Sequence, residues 1–387
     1  MTASLLTEEA LVPLLQRLVR HPSEQTDLQE ADPRVKGFIT DCVAPELKRF
    51  GLGPVRYDRM GNLILEIGPS DADRSILFAT YAMTHPANRM KDPFSATVIE
   101  TPEGRAVRGR GVAEQKTALA AALAAVADAA CAGLGGRLIF AVLTAGETGR
   151  HTAVEALDEA LGFPPDYAII CLGTDGRIGT GNKGRIDVEV TVEGRSCHSS
   201  TPWNGIDAIE GARQCLNALV SLDLGVPDHP VFGRATLTPT AIRSGPNSTH
   251  TVQDSVRMTF DRRLLPGEDA DAAFARIREA LPGDGPWTVS CSRGPFMYPN
   301  DTRDDGPLMT LLRDAHEDAQ AGEAATVVCN FALDAGYFGH RGIEAVMLGP
   351  GEIDQFHSEE EHVQVSELVR MARVYRALIG RALGNNG

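Results

Sequence analysis

Residues 138–143 form an unbroken apolar run. Just past it Glu147 stands between Gly146 and Thr148, before a helical pattern opens at 152. A carboxylate beyond the end of a buried strand sits where α/β sheets gather their ligands. A second carboxylate, Glu114, lies in "GVAEQK" at the head of an Ala-rich stretch, and His357 lies far along the chain in "DQFHSEEEHV". If the two carboxylates share a cleft, mutual repulsion raises one pKa and leaves an acid beside a base. The competing reading pairs each with a cation (Lys116, Arg150 or His357) in an ordinary ion-pair network, and the two carry equal weight. Cys197 and His198 adjoin in "SCHSS", but neighbours on a strand point to opposite faces, which argues against a Cys–His nucleophile pair. "GNKGR" at 181–185 precedes a strand pattern, not a helix, so it is no phosphate-cradling loop.

The elements that must position these groups show as alternation. Strand patterns at 62–68, 75–81, 137–144 and 166–173 are interleaved with helical patterns at 114–133, closed by Gly133, and at 152–162. This predicts an α/β domain with a mostly parallel central sheet covered on both faces. An opening helix is expected to be capped near Thr7, with Leu11, Leu14, Leu15 and Leu18 on one face. Near residue 185 the pattern changes to period-two strands around two helices, in the ferredoxin-like order β-α-β-β-α-β. After about residue 295 the first alternation resumes. The expected organisation is a discontinuous first domain, residues 1–184 and 295–387, interrupted by a lid-like α/β insertion at 185–294.

Net charge is −15, from 37 basic against 52 acidic residues, with no basic block to offset it. That argues against nucleic acid or an anionic membrane as partner and favours a small molecule. No apolar run reaches the length of a membrane span, and the first residues are too acidic for a signal peptide. Seven scattered cysteines without a CxxC pair read as reduced thiols, which places the expected location in the cytoplasm.

Several long segments, in order, resemble the M20 metallopeptidases, a family that includes acetylornithine deacetylase, succinyl-diaminopimelate desuccinylase, aminoacylase and glutamate carboxypeptidase. They are "KDPFSATVIETPEGRAVRGRGVAEQKTALAAALAA", "TVEGRSCHSSTPWNGIDAI", "FDRRLLPGE" and "VMLGPGEIDQFHSEEEHV". The resemblance implies two zinc ions between five protein ligands, a separate glutamate as general base, and a homodimer through the lid. Residue by residue, the family's His-x-Asp motif falls on Tyr81 and Met83, so that ligand and its orienting aspartate are replaced. The bridging aspartate falls on Glu114, the Glu-Glu pair on Gly146 and Glu147, the later acidic ligand on Leu172, and the final histidine on His357. The base is therefore missing, and one zinc keeps almost no ligands. The other keeps Glu114, Glu147 and His357, a set that zinc tolerates with an open position. One zinc ion at most, or none, is the expectation.

By the same resemblance His198 is the lid histidine that stabilises an oxyanion, and Arg263 is the arginine that holds a substrate carboxylate. The alternatives are a solvated loop histidine and a salt bridge to Asp261. His250 stands where the family often has asparagine, Asp334 matches a Thr-Asp-Ala segment near the site, and Glu361 is expected to brace its loop. His85 is read as a loop histidine. The functional expectation is an M20-fold enzyme with altered chemistry on a small N-acyl amino acid or other carboxylate-bearing amide. Its sites would be Glu147, Glu114, His198 and His357 for catalysis, and Arg263, His250, Tyr81 and Asp334 for substrate. The first alternative is an inactive homologue that binds a ligand or partner, and the second is an ordinary dizinc peptidase.

Overall fold

The structure, a computed structural model, describes residues 4–384. The chain divides into two compact units. One comprises the residues up to Gly181 with Asn300–Val328 and Asp334 onward; the other comprises Asn182–Pro299 with Cys329–Leu333.

The first unit is built on a nine-stranded mixed sheet. At its centre Ser75–Tyr81 runs parallel to Arg137–Leu143 on one side and to Tyr167–Cys171 on the other, and Tyr167–Cys171 also pairs in parallel with Glu344–Leu348. Every residue of Ser75–Tyr81 is buried, which is why the segment carries the apolar run 76–79 and not an alternating pattern. Helices Glu8–Val19, Thr117–Ala132 and Val365–Leu383 contribute Leu11, Leu14, Leu15 and Leu18, a run of alanines, and Tyr375, Leu378 and Ile379 to one core cluster. Thr7 does stand at the N-cap of the first helix, but its hydroxyl makes no capping bond.

Register decides which loops meet. Tyr81 lies opposite Leu143 and Cys171 opposite Leu348. The segments leaving these strands therefore emerge level and bond to one another: Met83 N–H donates to the Ala145 carbonyl at 3.2 Å and Thr174 N–H to that of Gly349 at 3.1 Å.

Two features depart from the expected elements. The helix expected from residue 114 begins only at Thr117, because Val112–Lys116 form a wider π-helical turn entered through Gly111 at φ 78°. A Cβ at Gly111 would lie 2.5 Å from the Thr84 methyl carbon. Such turns interrupt helices mostly at functional sites. The second departure is a three-stranded sheet of Thr97–Thr101, Gly104–Arg108 and His362–Gln364. Pairing of His362 with Arg108 ties the segment ahead of Glu114 to the segment behind His357.

The second unit is a four-stranded antiparallel sheet, with Ser255–Leu264 and Gly184–Glu193 at its centre and Thr236–Gly245 and Thr288–Met297 at its edges. One face of Gly184–Glu193 (Ile186, Val188, Val190, Val192) packs with Ala212, Cys215 and Leu219 of helix Ala208–Val220 and with Ile277 of helix Ala270–Glu279. None of the seven cysteines is joined in a disulfide. Among the described residues no helix is long and apolar enough to cross a membrane.

Candidate metal centre

Glu114, Glu147 and His357 come from three separate segments of the first unit: the π-helical turn, the loop after Arg137–Leu143, and the loop after Glu344–Leu348. Each offers a ligand atom, and these atoms lie within 4.8 Å of one another. His357 Nε2 is 3.0 Å from Glu114 Oε2 and 3.5 Å from Glu147 Oε1. The two carboxylates are largely covered, with side-chain exposures of 14% and 13%, while the imidazole is 42% exposed. The backbone of His357 sits at φ 62°, a left-handed conformation that few non-glycine residues adopt.

Glu147 is held from two sides. Gln115 Nε2 donates to its Oε1 at 2.8 Å, and Gln25 Nε2 donates to its backbone carbonyl at 2.6 Å. The Gly173 N–H, beside Leu172, donates to the Glu114 carbonyl at 2.8 Å. Behind the cluster the buried Arg110–Glu361 pair closes at 2.7 Å, and Glu361 also accepts from the N–H groups of Gly111 and Ala113. Glu361 therefore clamps the turn that carries Glu114.

Burial, then the adjacent Glu147 charge, pushes the Glu114 carboxyl up to about 8. Burial also opposes the Glu147 carboxylate, but its hydrogen bond to His357 and the charge there outweigh this and hold it below the usual range. Hydrogen bonds to Glu114 and then Glu147 raise His357 to about 10, against its burial. The shifts thus favour the neutral acid at Glu114, the carboxylate at Glu147 and the imidazolium at His357.

Gly146, where a base is expected by resemblance, has no room for a side chain. A Cβ there would lie 2.3 Å from the Met83 carbonyl oxygen. Leu172, 1% exposed, carries no donor atom. Tyr81 is 4% exposed; its hydroxyl donates to Asp334 Oδ2 at 2.9 Å, and His151 Nδ1 approaches Asp334 Oδ1 at 2.7 Å. Tyr81 and Asp334, expected as substrate contacts, are thus bonded to each other within the protein.

His198, His250 and Arg263 belong to the second unit. The rings of His198 and His250 are exposed, 6.1 Å apart, and His198 Nδ1 is 2.8 Å from Ser200 Oγ. Arg263 bonds Asp261 through two nitrogens, at 2.7 and 2.9 Å, which is the salt bridge weighed against a substrate clamp.

Gln115, Gln25, His151 and His85 all bond or pack around these clusters without having been singled out as site residues. Of these His85 carried a sequence signal, its place four residues past Tyr81 and just after the replaced His-x-Asp motif, as a replacement ligand weighed against a loop histidine. The His85 ring stacks on His357, with centroids 3.8 Å apart and planes 14° apart.

Comparison with known proteins agrees with this architecture. YgeY of Escherichia coli K12 is 26% identical over 386 residues, covering 94% of this chain and 92% of that protein. Succinyl-diaminopimelate desuccinylase 2 of Shewanella loihica is 27% identical over 307 residues, 75% of this chain and 79% of that one. The M20 family metallo-carboxypeptidase Sso-CP2 of Sulfolobus solfataricus has the same fold, with a TM-score of 0.77 over 96% of this chain and 98% of its own at 15% identity. Residues 84–381 match Peptidase family M20/M25/M40, and the chain belongs to that family.

Proposed function

We propose that the chain is a single-cation amidohydrolase. Glu114, Glu147 and His357 would hold one divalent ion, zinc by the family resemblance. The substrate would be a small N-acyl amino acid or another carboxylate-bearing amide. The observation that carries this is the convergence of three ligand atoms within 4.8 Å of one another. One imidazole and two carboxylates suit zinc and leave a position open. The reading of one ion and not two is supported by the Tyr81 hydroxyl, which already donates to Asp334, and by Leu172, whose side chain has no ligand atom.

When bound, the ion supplies Lewis-acid polarisation of the amide carbonyl. The chain supplies position. Gln115 and Gln25 fix Glu147, and Arg110 with Glu361 fixes the turn that presents Glu114. Gly146 supplies no base, so turnover should lie roughly 10²–10⁴-fold below that of a site with a positioned carboxylate there.

A second reading, metal-free acid–base chemistry, is favoured by the opposite shifts of Glu114 and Glu147. Chelator-stripped protein, reloaded with Zn²⁺ and assayed against a panel of N-acyl amino acids and dipeptides, separates the two. The single-cation proposal expects hydrolysis that returns with the metal and is lost in Glu147→Gln. Turnover by stripped protein that Zn²⁺ leaves unchanged supports the second reading. Zn²⁺ binding without turnover of any panel member supports a ligand-binding homologue. By the same resemblance we read the chain as a homodimer through its second unit, where Thr236–Gly245 is a mostly exposed edge strand. Light scattering at micromolar concentration tests this, and a monomer mass would reject it.

A further inference from the structure

His357 is the most exposed of the three ligands, and it stands on a left-handed backbone. Its Nε2 faces the carboxylates, but its Nδ1 has no hydrogen-bonding partner among the described residues. A metal-ligating histidine usually donates its second N–H to a carboxylate or carbonyl, and that bond sets the ring's tautomer and direction. Among the described residues no side chain or carbonyl gives His357 Nδ1 that bond, and the protein contact on the ring is a flat one. The His85 ring lies 3.8 Å below, at 14°. His85 is itself anchored: its Nδ1 is 3.0 Å from the Pro86 carbonyl oxygen, and since a carbonyl only accepts, Nδ1 carries the proton. Thr84, next to it, is locked by N–H donation to the Ser23 carbonyl at 3.0 Å and by acceptance from the Gln25 N–H at 2.8 Å.

His85 is not a fourth ligand in this arrangement. The lone pairs of two nearly parallel rings run side by side and do not converge on one ion, and the ligand cluster comprises only Glu114, Glu147 and His357. We propose that His85 is the positioning residue of the metal centre, holding the His357 imidazole edge-on to the two carboxylates by its anchored face. The inference rests on the single-cation reading above.

The test is Zn²⁺ affinity, measured by competition with a chromophoric chelator, together with the visible absorption of the Co²⁺-loaded protein. His85→Ala should weaken Zn²⁺ binding by about 10–100-fold, the usual cost of losing an orienting partner. His85→Phe keeps a flat face but no nitrogen; it should bind close to wild type and give the wild-type Co²⁺ spectrum. If His85→Ala fails to fold, His85→Leu fills the space without a planar ring and should show the same loss. Wild-type affinity in the Ala or Leu variant overturns the proposal. So does a loss in His85→Phe as large as in His85→Ala, since the nitrogen would then be what matters. Failure of the single-cation reading looks different: the wild-type protein itself would bind no Zn²⁺.

Discussion

Two polar clusters of the first unit resolve their charges in opposite ways. Tyr81, Asp334 and His151 bond to one another while almost wholly covered, with exposures of 4%, 2% and 3%. Glu114, Glu147 and His357 are frustrated by comparison. Two carboxylates crowd one imidazole, burial and the neighbouring charge favour the protonated form of Glu114, and the histidine sits on a backbone conformation that costs energy. Backbone strain of this kind persists where the surrounding structure enforces it, and a bound cation would offset the crowding of the two carboxylates. The contrast supports the proposal that the frustrated cluster ligates and the satisfied one braces.

The strongest way to break the contrast is to remove a ligand from the frustrated side. Glu147→Gln should lower Zn²⁺ affinity by roughly 10²–10³-fold, one ligand's share of a structural zinc site's binding energy. Chelator competition reads this. Next comes pH. With Glu114 raised to about 8 and His357 to about 10, both are protonated at neutral pH, and the ion must displace both protons. Affinity should therefore climb as pH rises, by up to about tenfold squared per pH unit below 8 and about tenfold between 8 and 10. Calorimetry in buffers of different ionisation enthalpy should report about two protons released at pH 7.

The parallel sheet and an inserted antiparallel unit were legible in the sequence from periodicity, and motif resemblance singled out the three residues that the fold brings together, Glu114, Glu147 and His357. Three things were not. The π-helical turn at Val112–Lys116 looks like helix because most of its residues have helical propensity, and the left-handed Gly111 that leads into it carries no pattern that tells a wider turn from a regular one. The strand His362–Gln364 is too short and too polar to carry a pattern. The pairing of Tyr81 and His151 through Asp334 joins residues 253 and 183 positions away from that aspartate, which no local rule can see.

Smaller effects sharpen the contrast from the other side. Gly146→Glu should neither restore efficient hydrolysis nor create a second ion site. Its Cβ would press on the Met83 carbonyl and cost about 1–3 kcal/mol, seen as a lowered Tm. Tyr81→Phe removes one donor from buried Asp334 and should cost about 1–2 kcal/mol. Its Zn²⁺ affinity should stay at the wild-type value, because the hydroxyl serves the satisfied cluster.

Metal content tests the assignment most directly. Elemental analysis of protein reloaded with excess Zn²⁺ and then desalted should find one ion per chain, and essentially none in Glu147→Gln. Two ions per chain, or one retained when Glu147 is replaced, would contradict it.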